Sequence, residues 1–287
     1  MVSVTAPSKS ELDELLAFAD QLADAARGVI LPRFRSTLTI DNKAQRGFDP
    51  VTDADRDAET VMRHMIEERF PSHGIVGEEF GDKRAASGFT WVLDPIDGTR
   101  AFVAGLPVWG TLIGLLHDGV PLVGVIDQGH IGERFRGWPG AADLVDRRGS
   151  RPLRARACAR LSDAVIATTD SALFTGKEAP AYEAVRSAAK FARYGCDCYA
   201  YAMVALGTID VVVETDLAPW DVAALIPVVA GAGGRVSDWK GAPISDDGWL
   251  LTRGTRTQLL ACGDSVVGDE ALGLLSDAVS RTTRSAS

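Results

Sequence analysis

Two carboxylates three residues apart stand in Asp94-Pro-Ile-Asp97-Gly98-Thr99, directly after the apolar run Thr90-Trp-Val-Leu. Pro95 fixes its own φ and biases Asp94 toward extended backbone, so the two acids are held in a set relation with the Ile96 carbonyl between them. Three further acidic groups share this kind of setting: Asp49-Pro-Val-Thr-Asp-Ala-Asp55, Gly77-Glu78-Glu79 and Trp220-Asp221. Each lies at the end of an apolar run or the start of a helical one, where functional residues of α/β proteins collect. Acids at helix starts also serve as caps and dipole partners. That role suffices for Asp53 and explains Asp221 alone equally well. It does not explain Asp94 with Asp97, because a cap needs no second acid and no intervening proline.

Charge decides what such a cluster is for. Two carboxylates about 5 Å apart repel by roughly 3 kcal/mol at an effective dielectric of 20, and four in one cleft by on the order of 10 kcal/mol. Arg100 is the neighbouring cation in the sequence, and one arginine is not enough. Hard divalent cations with oxygen ligands resolve the repulsion, and Mg²⁺ suits carboxylates, water and a phosphate together. No His or Cys lies within these motifs, which disfavours zinc. Gly98 lets backbone approach a ligand closely. A helix starting there offers free N–H groups to an anion, and Thr99 adds a hydroxyl able to orient a water. Metal ions beside a phosphate-sized anion site point to metal-assisted hydrolysis of a phosphate ester. Phosphatases of the haloacid-dehalogenase type use D-x-D with one intervening residue; two intervene here, so Asp97 cannot fill that scheme's second position.

Positioning these residues requires a regular frame. Ser8 with Glu11 forms a capping pattern, and apolar residues from Leu12 to Ile30 trace one helical stripe that stops before Pro32. A second helix follows Thr52, with Ala58, Val61, Met62, Met65 and Ile66 on one face. Strands are expected over 74–77, 90–94, 110–116 and 121–126, the last two joined as a hairpin through Asp118-Gly119. The Arg- and Gly-rich interval 129–156 reads as further strands and loops, leading to a boundary between an N-terminal α+β half (1–150) and a C-terminal α/β half (151–287). In the second half, strands at 164–169, 209–214 and 257–263 alternate with helices at 178–191, 198–206, 221–229 and 267–279, an α/β pattern. Residues 1–8 and the closing RTTRSAS read as loose tails.

The chain has 287 residues, a formal net charge of -9 and ordinary globular proportions of apolar and charged residues. That charge argues against nucleic-acid binding through a basic surface. No run reaches the length of a membrane span, and the acids in MVSVTAPSKSELDELL argue against a secretory signal. Cys158, Cys196, Cys198 and Cys262 match neither a disulfide framework nor a zinc knuckle, and are expected as reduced thiols in a cytoplasmic protein.

The quoted motifs, with WVLDPIDGTRAF at 91–102 and PWDVAALIPVVAGAGG at 219–234, resemble signatures of the inositol monophosphatase family, Mg²⁺-dependent and lithium-sensitive phosphatases. The resemblance runs from about 11 to 262. It implies a layered α/β/α/β/α sandwich, a homodimer, a small phosphate ester as partner rather than nucleic acid or membrane, and two or three Mg²⁺ ions per subunit. It further implies that Glu78, Asp94, Asp97, Asp221 and the Ile96 carbonyl hold the metal, with Glu79 supporting them. Asp55 would pair with Thr99 and the two would help position the attacking water, with Glu78 catalytic as well as a metal ligand. Gly98 and Thr99 would hold the phosphate through backbone N–H groups, and Asp97 and Asp221 would also face the substrate. Glu214 matches a substrate-contacting acid.

Substrate choice is expected from Arg193-Tyr-Gly-Cys-Asp-Cys-Tyr-Ala-Tyr201. This stretch is similar to that of histidinol-phosphate phosphatases, enzymes of histidine biosynthesis, and sets Arg193, Gly195 and Asp197 beside the ester. Histidinol phosphate carries an ammonium and an imidazole, donors that Asp197 and Glu214 could meet; an inositol ring offers only hydroxyls. Inositol or another sugar-alcohol phosphate is the alternative, and a non-catalytic metal- or phosphate-binding regulator a more remote one. Asp197 could also simply cap the following helix. Tyr199, Tyr201 and the cysteines read as packing residues.

Overall fold

A computed structural model describes residues 7–37, 40–42, 50–244 and 249–284, with side chains to 276. Asp49, most of the N-terminal tail and residues 285–287 lie outside the described residues.

Helix α1 (Lys9–Ile30) starts where Ser8 Oγ accepts the Glu11 N–H at 3.2 Å. A short ribbon, β1 (Ile40–Asn42) with β2 (Pro50–Thr52), leads into α2 (Asp53–Arg69). The first sheet has seven strands: β3 (Gly74–Gly77), β4 (Phe89–Asp97), β5 (Gly110–His117), β6 (Val120–Gln128), β7 (Glu133–Trp138), β8 (Ala141–Asp146) and β9 (Gly149–Pro152). They lie side by side in chain order, antiparallel except for β3 and β4. The β5–β6 hairpin turns at Asp118 (φ 49°) and Gly119 (φ 84°), the double positive φ of a type I′ turn.

The second sheet holds β10 (Val165–Thr168), β11 (Phe191–Tyr194), β12 (Val211–Leu217), β13 (Arg235–Ser237) and β14 (Thr257–Cys262), ordered β11-β10-β12-β14-β13. Its helices are α4 (Glu178–Ala188) and α8 (Ser265–Arg284) on one face. On the other lie α5 (Asp197–Leu206), α6 (Pro219–Val222) and α7 (Leu225–Gly231). The short α3 (Thr99–Val103) follows β4.

Alternation along the strands sorts the core into layers. Ile75, Trp91, Leu93, Ile113 and Val125 pack under α1 and α2. Val76, Val92, Leu112, Ile126 and Phe135 face the opposite way, onto α5–α7 and the inner face of the second sheet at Val212, Leu259 and Ala261. Val211, Val213, Leu260 and Cys262 point outward to α4 and α8. The result is the five-layer α/β/α/β/α sandwich. β9 ends at Pro152 and β10 begins at Val165, and the middle helical layer shares one core with both sheets. Among the described residues no helix is long and apolar enough to cross a membrane.

Several boundaries differ from the sequence reading. The helix expected over 178–191 stops at Ala188, and Phe191–Tyr194 becomes an edge strand paired in parallel with β10. The helix expected over 221–229 divides into α6 and α7. Pro227 has no N–H for the Ala223 carbonyl, so one continuous helix would lose that bond. RTTRSAS contributes its first four residues to α8 rather than to a tail. All four cysteines are free thiols. Tyr201 is buried in the middle layer, and Tyr199 packs there while donating to Glu133 at 2.6 Å.

Gly114, Gly124 and Gly137 stand opposite one another across β5, β6 and β7, and the backbone around α6 and α7 lies directly on that row. A Cβ on Gly124 would sit 2.1 Å from the Ala224 oxygen, and one on Gly137 2.3 Å from Pro227. This contact seats α6, and with it Asp221, against the sheet that carries Asp94. Gly124→Ala is therefore expected to cost about 3 kcal/mol of stability or more, as overpacking against backbone does; urea unfolding measures it, and an unchanged midpoint would contradict the contact.

Candidate active site

The acidic residues converge because β4 loses its register at their position. Asp94 faces Leu112 on β5, but Asp97 faces Gly110, so three steps on one strand match two on the other. This bulge, set at Pro95-Ile96, re-aims the strand end as bulges near active sites do. It puts Asp94 and Asp97 into one cleft, although strict alternation would place residues three apart on opposite faces. The Ile96 side chain is buried under α1 and α2. Its carbonyl accepts the Thr99 hydroxyl at 2.9 Å. Gly98 turns the chain with φ 81° into α3.

Asp221 arrives from the other half of the chain. It lies in the first turn of α6, where its carboxylate accepts the Ala218 N–H at 2.7 Å. Oxygens of Asp94, Asp97 and Asp221 all lie within 4.8 Å of one another. Glu78 follows β3, its N–H donating to the Leu93 carbonyl on β4 at 3.2 Å, and faces the same cleft. The cleft encloses about 500 Å³ and is also lined by Thr99, Arg100, Asp197 and Glu214.

The electrostatics are those of a site built for a cation. Burial, then the charges of Glu78, Asp97 and Asp221, holds the Asp94 carboxyl well above its ordinary range. Burial and then Asp197 and Asp221 do the same to Asp97, although the Cys198 N–H donates to it at 2.6 Å. Burial pushes Asp221 up to about 7, against the Ala218 N–H. Asp94 Oδ1 is buried with no hydrogen-bond partner among the described residues. A buried carboxylate oxygen left in that state calls for a ligand, and an all-oxygen donor set fits a hard divalent ion.

A second pair of acids stands apart from the triad. Glu214, on β12, accepts from the Thr169 N–H at 2.5 Å and from the Thr168 hydroxyl at 3.1 Å, and burial raises it to about 7. Asp197 opens α5 with φ 44°. Burial raises it to about 6, with Arg100 pulling the other way. A Cβ on Gly98 would lie 3.0 Å from the Asp197 carboxyl carbon, so that glycine is needed for its φ and for this approach together.

Other expected residues lie differently. Asp55 Oδ2 accepts the Thr52 N–H at 2.8 Å and the Thr52 hydroxyl at 2.6 Å in a capping box that starts α2. The Thr99 hydroxyl has one proton and gives it to Ile96, so in this arrangement it does not donate to Asp55. Glu79 is outside the cleft lining, its N–H held by Glu59 at 2.8 Å. Arg193 is exposed on β11, and Gly195 (φ 69°) donates its N–H to the Thr169 carbonyl; neither lines the cleft. Sequence reasoning missed Arg256 and Asp216, which line the cleft mouth 3.7 Å apart. Asp216 is aimed there by a second bulge, between Glu214 and Leu217 of β12, and no sequence spacing announces it.

Comparison with known proteins decides the affiliation. The sequence pattern of the inositol monophosphatase family matches residues 11–270. The chain belongs to the inositol monophosphatase family. Members of this family are phosphatases that use Mg²⁺. Among relatives, the chain is 42% identical over 267 residues to the chloroplastic bifunctional phosphatase IMPL2 of Arabidopsis thaliana, covering 92% of this chain and 76% of that protein. It is 36% identical over 235 residues to a histidinol-phosphatase of Chlorobaculum parvum, covering 81% and 89%. Among solved structures, an inositol monophosphatase from Zymomonas mobilis superposes with a TM-score of 0.81 at 37% identity, covering 94% of this chain and all of that one. Within the inositol monophosphatase family, then, the triad and Glu78 occupy a cleft of the shared five-layer fold.

Proposed function

We propose that this chain is a Mg²⁺-dependent phosphomonoester hydrolase whose preferred substrate is L-histidinol phosphate, released as L-histidinol and phosphate. The observation that carries the substrate choice is the second acidic pair, Asp197 and Glu214, in the cleft beside the triad. Once ions balance the triad, this pair remains to accept from the ammonium and imidazole of the ester. Relatives named histidinol-phosphatase support the same reading.

Glu78, Asp94, Asp97, Asp221 and the Ile96 carbonyl would hold two or three Mg²⁺ ions. When bound, such ions supply polarisation of the phosphoryl group and balance its charge. The chain's own groups supply the rest. Gly98 and Thr99 offer N–H groups to the phosphate at the start of α3. Thr99 Oγ1, while donating to Ile96, keeps lone pairs that accept from a water, and Asp55 and Glu78 share in orienting it. Residues 1–150 carry most of the ion ligands; residues 151–287 bring Asp221 and the specificity residues. The family resemblance adds a homodimer, which sedimentation reads directly, and the unpaired cysteines suit the cytoplasm.

Turnover of histidinol phosphate, inositol 1-phosphate and other sugar-alcohol phosphates with Mg²⁺, with EDTA and with lithium tests the proposal. Inositol 1-phosphate as the better substrate would favour the second reading, consistent with the Zymomonas mobilis relative. No turnover of any ester would leave a phosphate-binding protein.

A pH effect follows from the raised carboxyls. With Asp221 and Glu214 near 7 and Asp197 near 6, the metal-free fold binds more protons than the unfolded chain, whose carboxyls titrate near 4. Their contribution to stability is full below about pH 4 and is lost as pH rises to about 7. Mg²⁺ competes with those protons. Its increment to the unfolding midpoint is expected to be small at pH 5 and to grow through pH 7 to 8; equal increments at both ends would contradict the site.

A further inference from the structure

The loop after β3 carries Glu78, yet it is gripped by a residue 175 positions away in the chain. Arg253 donates through Nη2 to the carbonyls of Gly77 and Phe80 and through Nη1 to that of Glu78 at 3.4 Å, and its Nη2 lies 3.2 Å from Asp82 Oδ1. The same guanidinium lies 5.0 Å from the centre of the Trp220 ring, next to Asp221. From the opposite side, the buried Glu59 of α2 accepts the N–H groups of Glu79 and Phe80 at 2.8 and 3.3 Å and is itself paired with Arg63 at 2.6 Å. Paired bonds between Ile75 and Lys83 close the base of the loop. Glu59 thus holds the N–H groups of Glu79 and Phe80, while Arg253 holds the carbonyls of Gly77, Glu78 and Phe80, the last shared with Arg63 Nη2 at 3.3 Å.

We infer that Arg253 is a positioning residue for the metal site: it fixes the Glu78 loop and Trp220-Asp221 in one relation, so that ligands from the two halves of the chain meet. The inference rests on reading Glu78 and Asp221 as ligands. The geometry asks for arginine in particular. A planar guanidinium can give several N–H bonds to a fan of carbonyls while its face lies on an indole, whereas a lysine ammonium is a point charge that cannot do both. The clamp adds no charge to the ions' own ligands; it acts by removing loop positions from which Glu78 would miss the site. Groups that orient metal ligands in this way typically change metal affinity by about 10–100-fold when removed.

The test uses the whole chain with Arg253→Ala, Arg253→Lys and Glu78→Gln. Binding of Mn²⁺, followed by its electron paramagnetic resonance, should weaken about 10–100-fold in Arg253→Ala, with Arg253→Lys recovering only part. Hydrogen exchange over 78–82 in the metal-free protein should quicken in Arg253→Ala, while the unfolding midpoint in EDTA changes little. Wild-type Mn²⁺ affinity together with unchanged exchange in Arg253→Ala would overturn the clamp. Should that variant not fold, Arg253→Lys decides by the same two readings, and parent values in both overturn it. Glu78→Gln separates the two levels: wild-type Mn²⁺ affinity there would overturn Glu78 as a ligand, while quickened exchange in Arg253→Ala would still show the loop to be held.

Discussion

Replacing Asp94 by Asn is expected to lower Mg²⁺-dependent turnover at least 10³-fold, a loss of about 4 kcal/mol in transition-state stabilisation, while raising the unfolding midpoint of the metal-free protein. The two effects have one cause. Asp94 is 2% exposed, and burial and three neighbouring acids disfavour its charge. Without a cation, the fold must either keep this charge buried or take up a proton to neutralise it, and the amide removes that cost, so the fold gains. With a cation, it removes an anionic ligand from the centre of the donor set, so binding and turnover fall. A merely structural buried carboxylate behaves differently: substituting it destabilises with and without metal. Steady-state rates over a Mg²⁺ series, paired with thermal unfolding in EDTA, measure both signs. Unchanged turnover, or a lower midpoint in EDTA, would contradict the site as drawn.

Asp197→Ala is expected to reduce kcat/KM on histidinol phosphate about 100-fold, the size of losing one hydrogen bond to a charged group at up to about 3 kcal/mol. The same variant should change kcat/KM on inositol 1-phosphate less than threefold, since a hydroxyl can find water in place of the carboxylate. The contrast between the two esters is the informative quantity. A simple cap at the start of α5 would affect both esters alike, by disturbing the Cys198 N–H that holds Asp97. Equal losses would therefore assign Asp197 to scaffolding and shift substrate choice to Glu214 and the mouth residues Asp216 and Arg256.

Much of the chemistry was legible in residue order because it depends on local covalent constraint. Pro95 between two acids and a helix starting at Gly98-Thr99 are features of six adjacent residues, and the structure realises both; that Gly98 also takes a positive φ is shown only by the structure. The amphipathic stripes of α1 and α2 and the Asp118-Gly119 hairpin were legible for the same reason: their periods and turn types are set by near neighbours. Asp197 and Glu214 were also visible as acids.

What residue order left open was decided by long-range contact. The edge strand Phe191–Tyr194 exists because β10 supplies a partner, and a four-residue stretch has too short a pattern to reveal that partner. Whether Asp221 lies near Asp94 depends on α6 and α7 settling onto the row of Gly114, Gly124 and Gly137, glycines from three strands that become neighbours only in the sheet. The pairing of Asp55 with Thr99 was implied by the family resemblance alone; in this arrangement the Thr99 proton goes to Ile96 and Asp55 accepts from Thr52. Arg253 reaches the Glu78 loop across 176 residues from Gly77. Hydrogen bonds and charge repulsion act over a few ångströms of space, whatever the separation along the chain, so these last contacts could be assigned only once the two halves were packed together.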